Sequence, residues 1–140
     1  MLPNGVYQGE DKQEWFFKEG TYILSETDDK GFILYANDIF CTIAGYTQEE
    51  LIGQPHNIIR HPDMPRIAFK GLWDDIQTKG FWRGTVKNLR RDNGFYWVDA
   101  TVLRKIHENG DVTYLSIRRV PNRKIVENCI SLYAQLRSKE

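Results

Sequence analysis

Residues 81–120 read FWRGTVKNLRRDNGFYWVDATVLRKIHENGDVTYLSIRRV. Two Asn-Gly pairs, Asn93-Gly94 and Asn109-Gly110, stand between runs rich in aromatic and β-branched residues. Asn-Gly supplies the positive φ that a tight hairpin turn demands, so the stretch predicts an antiparallel meander over 81–90, 95–104 and 112–120. Side chains alternate across a strand. Trp82, Gly84, Val86 and Asn88 therefore share one face, as do Tyr96, Val98, Ala100 and Val102. These small and apolar sets are expected to face the core, with Arg83, Thr85, Lys87 and Trp97 on the other side. That makes Asn88 an inward amide, and an unpartnered buried polar group costs about 1–3 kcal/mol. It bonds either nearby backbone or the edge of a ligand, for which Gly84 would leave room.

Upstream, the runs 21–25 and 31–36 flank a polar turn and read as a second hairpin. Asn37 or Asp38 caps a helix through Ile39, Phe40, Ile43 and Ala44 that Gly45 stops. Thr47 with Glu50 forms a capping box for a short helix ended by Gly53. Pro55, Pro62 and Pro65 break the next segment, where His56, Asn57, Arg60, His61 and Asp63 crowd together. Ala68, Phe69, Leu72, Trp73 and Ile76 then recur at helical spacing up to Gly80. Five strands in one antiparallel sheet with helices on one face make an α+β fold. Residues 1–20 are expected to be a cap whose short helix, 11–18, lays Trp15, Phe16 and Phe17 over Trp97. Residues 21–120 are the folded domain. Residues 121–140 form an amphipathic helix with Ile125, Cys129, Leu132 and Leu136 along one stripe.

Composition narrows the function. At 140 residues the chain suits one domain. Its 19 basic and 19 acidic residues cancel, so the charge footprint of a nucleic-acid binder is missing. No apolar run approaches the ~20 residues of a membrane span, and no export leader opens the sequence. Cys41 and Cys129 do not make a disulfide framework. A cytoplasmic domain without direct membrane insertion is expected. Aromatics reach 13%, which serves either a core of large side chains or a pocket for a planar ligand. There is no GxGxxG loop and no nucleophile–base motif, and His56 and His61 do not share a helical face. Neither a metal enzyme nor any other enzyme is expected.

Gly45-Tyr46-Thr47-x-x-Glu50-Leu51-x-Gly53 resembles the helical turn of PAS domains. The block GQPHNIIRHPDMP over 53–65 is more specific. Together with Ala68-Phe69, Leu72-Trp73, Trp82-x-Gly84-x-Val86-Lys87-Asn88 and Tyr96-Trp97-Val98-x-Ala100, it is similar to the FAD-binding PAS domains of the bacterial aerotaxis receptor family. The resemblance covers about 21–120. It implies a PAS fold and non-covalent FAD, whose redox state is reported to a chemotaxis signalling module. The partner would be a chemoreceptor or HAMP-type domain of the same receptor, or a separate transducer, and a PAS homodimer is a further expectation. Positions that match the family's flavin site are Asn37, His56, Arg60, His61, Asp63, Trp73, Trp82 and Asn88. Leu89 departs from the family, which usually carries a basic residue there.

The residue chemistry stands beside that resemblance. Arg60 offers a forked donor suited to phosphate oxygens. Asp63 suits a ribose hydroxyl, or orients Arg60 or His61. Trp82 suits a wall for a flat ring, and the Asn88 amide both donates and accepts. Structural roles compete: His56 satisfying loop backbone, Arg60 with Asp63 as an ion pair, Trp73 as core. Two other functions compete as well, a haem-binding PAS sensor with His61 or His56 as axial ligand and a cofactor-free dimerisation module.

Overall fold

The computed structural model describes residues 2–140. Its main sheet uses β3 (Ile23–Thr27), β4 (Ile33–Ala36), β5 (Phe81–Leu89), β6 (Phe95–Ile106) and β7 (Val112–Arg119). They pair antiparallel throughout, in the spatial order β4-β3-β7-β6-β5. Asn93 takes φ 70° and Gly110 φ 89° in the two hairpin turns, as those Asn-Gly pairs predict. Val98 pairs with Val86, Ala100 with Gly84 and Val102 with Trp82, so the inner face is the one that alternation gives.

Between β4 and β5 run α1 (Asp38–Ala44), α2 (Gln48–Leu51) and α3 (Arg66–Lys79), which cover the inner face. Asn37 caps α1 through its side chain, and Gly45 ends it at φ 81°. The Thr47 hydroxyl accepts from the Glu50 amide at 3.1 Å while the Glu50 carboxylate accepts from the Thr47 amide at 3.0 Å, completing the capping box of α2. The core gathers Ile23, Ile33, Phe40, Ile43, Leu51 and Val98 between sheet and helices.

Three expectations about the ends are corrected. Residues 11–18 form no helix; β1 (Tyr7–Gln8) and β2 (Trp15–Phe16) make a small hairpin instead. The Asp11 carboxylate accepts from the Gln13 and Glu14 amides at 3.0 Å each, and this local turn outcompetes helix. Nor does the leader cover Trp97. It caps one end of the sheet, with Val6 and Phe17 in the core and the Glu14 segment bridging to Phe95. Trp97 is covered by α4 (Arg123–Ser138), whose Tyr133 ring stacks on it. The α4 seam runs through Val126, Cys129, Tyr133 and Leu136, because Tyr133 buries its ring in spite of its polar tip. Ile125 and Leu132, expected on the buried stripe, are each 49% exposed.

Candidate functional site

The inner faces of β5, β6 and β7, α3 and the segment 55–60 enclose a cavity of about 310 Å³. Its walls are mostly apolar: Ile59, Leu72, Ile76, Val86, Val98 and Ala100. Aromatic rings border it at Phe69, Trp73, Trp82 and Tyr114, with Trp73 and Tyr114 meeting edge to face at 5.5 Å. His56, Arg60, Asn88, Ser116 and Arg118 bring polar groups to the same space. A largely apolar pocket with a few convergent polar groups is the usual form of a small-molecule site.

Arg118 is the most unusual of these groups. Strand alternation puts it on the inner face of β7 with Tyr114 and Ser116, and it is only 2% exposed. Its Nη2 donates to Ser25 Oγ at 2.7 Å, and Nη1 lies 3.3 Å from His56 Nε2. One face of the guanidinium covers the Phe40 ring at 4.4 Å. Its Nε is buried without a hydrogen-bond partner. Burial lowers the Arg118 pKa to about 10, which leaves it cationic at neutral pH.

His56 answers that charge by staying neutral. Burial, and then the nearby Arg118 guanidinium, push its imidazole down to about 3. Arg118 can only donate, so Nε2 is the acceptor of the pair, and the Ser25 hydroxyl, 3.0 Å away, donates to it. Across the cavity Asn88 is 4% exposed and directly opposite Tyr96. The Tyr96 hydroxyl is buried beside Asn88, yet the two do not meet in hydrogen-bond geometry and the hydroxyl stays unpartnered. Burial drives that phenol up to about 12.

Five of the eight sequence-derived positions meet at this cavity: His56, Arg60, Trp73, Trp82 and Asn88. Arg60 sits at the mouth, stacked over Phe69 at 3.9 Å, and its backbone bridges to Asn88. Asn37, His61 and Asp63 lie outside the cavity wall. The Asn37 amide is used in capping, accepting from Leu24 and Phe40 and donating to Tyr22. His61 Nδ1 accepts from the Asp63 amide at 3.0 Å, and its ring meets Phe95 edge on. Asp63 bonds Lys87 at 2.7 Å; the alternative ion pair with Arg60 is not formed. That hydrogen bond holds the Asp63 carboxyl below the usual carboxylate range. Gly84 leaves its space to the Trp82 indole rather than to a ligand.

This sheet order, with helices on the inner face and a cavity beneath α3, matches the profile described as the PAS fold over residues 33–118. The chain belongs to the PAS family. Over 100 residues it is 43% identical to an aerotaxis receptor of Escherichia coli, covering 71% of this chain and 20% of the receptor. A nitrogen fixation regulatory protein of Klebsiella oxytoca is 30% identical over 103 residues, 73% of this chain and 21% of that protein. The chain thus spans about a fifth of the length of these relatives. Among solved structures, a PAS domain from Colwellia psychrerythraea superposes with a TM-score of 0.65 at 27% identity, covering 73% of this chain and 87% of that one. A light-oxygen-voltage domain superposes with a TM-score of 0.69 at 17% identity, covering 82% and 88%.

In this PAS domain, reading the sequence for motifs missed Arg118, Tyr114 and Ser116. A signal was available. The alternation that sorts β5 and β6, carried into 112–119, puts these three on the inner face, paired with Ile23, Ser25 and Thr27. No helix among the described residues is long and apolar enough to cross a membrane.

Proposed function

We propose that the chain is an FAD-binding PAS sensor domain that reports the redox state of the flavin to a chemotaxis signalling module. The observation that carries this reading is the cavity: flat aromatic walls at Trp73 and Trp82, an amide at Asn88, and the buried Arg118 guanidinium, whose Nε has no partner. Those groups fit a planar heterocycle with polar edges. The 43% identity to an aerotaxis receptor supports a flavin as the ligand, and the block 53–65 carries the resemblance that implies FAD.

A flavin in this cavity supplies reversible uptake of electrons. The remaining work falls to the chain's own residues. Trp82 and the apolar wall exclude water from the ring. The Asn88 amide orients the ring's polar edge, since it offers a donor and an acceptor side by side. Arg60 at the mouth offers its fork to the pyrophosphate. His61 and Asp63 support that loop from outside the cavity, Asp63 through Lys87. Haem is disfavoured by the histidines: His56 Nε2 is taken by Ser25 and Arg118, and His61 stands outside the wall. The output would pass through α4 or the outer face of the sheet to a HAMP-type domain or a separate transducer on the cytoplasmic side.

The visible absorption spectrum of the freshly purified protein tests the reading, followed by identification of what acid releases. A two-band flavin spectrum with FAD released is expected. A Soret band, or a colourless protein that takes up no added FAD, overturns it.

A further inference from the structure

We infer that Arg118 makes an anion subsite inside the cavity, the point at which the pocket holds a negatively charged edge of its ligand. The guanidinium is 2% exposed and lines the cavity, yet among the described residues no carboxylate pairs with it. Its two protein partners, the Ser25 hydroxyl and the His56 imidazole, are both neutral, and its Nε has no partner. A buried charge is normally paired or binds a ligand, because leaving it alone forfeits its hydration with nothing in return. The Tyr96 hydroxyl, also buried and unpartnered, is within electrostatic reach of the guanidinium. Two buried donors thus stand without acceptors in the same protein interior. Phe40 covers the guanidinium from one side, and Ser25 and His56 fix its in-plane direction.

The consequence for ligand state rests on the flavin reading above. The oxidised ring is neutral. When it takes two electrons from a reductant such as dithionite and one proton from water, it becomes an anion. Arg118 interacts more strongly with that anion than with the neutral ring, and only such a difference lets a pocket favour one state. The cavity therefore binds the reduced, anionic ring more tightly because Arg118 is there.

The test uses the full chain loaded with FAD, as wild type, Arg118→Gln and Arg118→Met. Both variants remove the charge at similar length, one with a polar end and one without. Dithionite titration against a reference dye gives the midpoint potential, and fluorescence titration gives affinity for oxidised FAD. Each variant is expected to lose at least tenfold of the preference for the reduced form, a fall of about 30 mV for a two-electron couple. Affinity for oxidised FAD should change several-fold less. Variants that bind FAD at an unchanged potential overturn the subsite. Wild type that takes up no FAD overturns the flavin reading and this consequence with it, so the two failures are distinct. Where neither variant folds, the wild-type spectrum decides: the reduced ring must be anionic at pH 7, and a neutral reduced ring overturns the subsite.

Discussion

The ring of Tyr133 stacks on that of Trp97 with centroids 6.2 Å apart, and its hydroxyl donates to the Thr85 carbonyl at 2.7 Å. One side chain thus seats α4 on the outer face of the sheet. Farther along, Arg137 donates to the Asp63 carbonyl, and the Glu140 carboxylate accepts from the Arg66 amide at 2.7 Å and from its Nε at 2.9 Å. The C-terminal helix is fastened both to the sheet and to the loop that follows Arg60 at the cavity mouth. A ligand that moves that loop pulls on α4.

Tyr133→Ala should cost about 2–4 kcal/mol, the loss of a packed aromatic and its hydrogen bond. Tyr133→Phe should cost only about 1 kcal/mol, the hydrogen bond alone. Urea unfolding measures both. Limited proteolysis should cut Tyr133→Ala within 123–138 before the sheet unfolds; protease resistance equal to the parent's would show that α4 is held by something else.

Arg90 ties three elements together. Its guanidinium lies over the Trp15 ring at 3.6 Å and donates to the Ile43 and Thr42 carbonyls at the end of α1. It also pairs with Asp92, half-exposed in the β5–β6 turn, at 3.2 Å. Lysine cannot reproduce a planar fork serving several acceptors. Arg90→Lys should cost about 2 kcal/mol and Arg90→Ala about 3–4 kcal/mol, because buried carbonyls lose their donors. Asp92→Asn should cost under about 1 kcal/mol, as exposed ion pairs do. Equal losses for all three in urea unfolding would contradict this division.

What the sequence made legible was local chemistry. Asn93-Gly94, the Thr47–Glu50 box and Gly45 each act through backbone within a few residues, and each stands where the sequence places it. Partners distant in sequence were harder. Trp97 needed a cover, but whether Trp15 or Tyr133 supplies it depends on packing between segments 36 or more residues away from it. The site divides the same way. Trp82 and Asn88 follow from alternation along one strand, whereas Arg118 stands on the third strand of the meander, whose faces were not sorted. Asn37 and Asp63 are polar, yet their groups are already engaged within the protein, by Leu24 and Phe40 in one case and Lys87 in the other.

His56 gives the acid limb of stability a definite sign. Its folded pKa, about 3, lies below the ordinary 6.5, so below pH 6.5 the unfolded chain takes a proton that the native state refuses. This contribution is complete above pH 6.5 and is lost as pH falls from there toward 3, at up to about 1.4 kcal/mol per pH unit. His61 is also lowered, first by burial and then by Lys87, and adds in the same direction. His56→Gln keeps an acceptor for Arg118 but cannot titrate. Its urea stability should fall less steeply between pH 6.5 and 4.5 than the parent's, by about one proton's worth of slope. Parallel curves would mean that His56 does not stay neutral in the folded protein.

Gly84 leaves no slack beneath Trp82, a residue of the cavity wall. A methyl built there would lie 2.5 Å and 2.6 Å from ring carbons of Trp82, two residues earlier on the same strand face. The indole folds over Gly84 because there is no side chain beneath it. Gly84→Ala must lift the ring, and the cavity it borders is where the ring has space to go. Overpacking of this kind costs about 1–2 kcal/mol. The displaced indole should also occupy ligand space, lowering FAD affinity at least tenfold. Adding Trp82→Phe should restore stability to within about 1 kcal/mol of Trp82→Phe alone, since the smaller ring clears the methyl. Urea unfolding and FAD titration on the three variants check this. A Gly84→Ala protein with the parent's midpoint and the parent's affinity would mean that Trp82 finds another place to lie, and that its ring is not a fixed wall of the site.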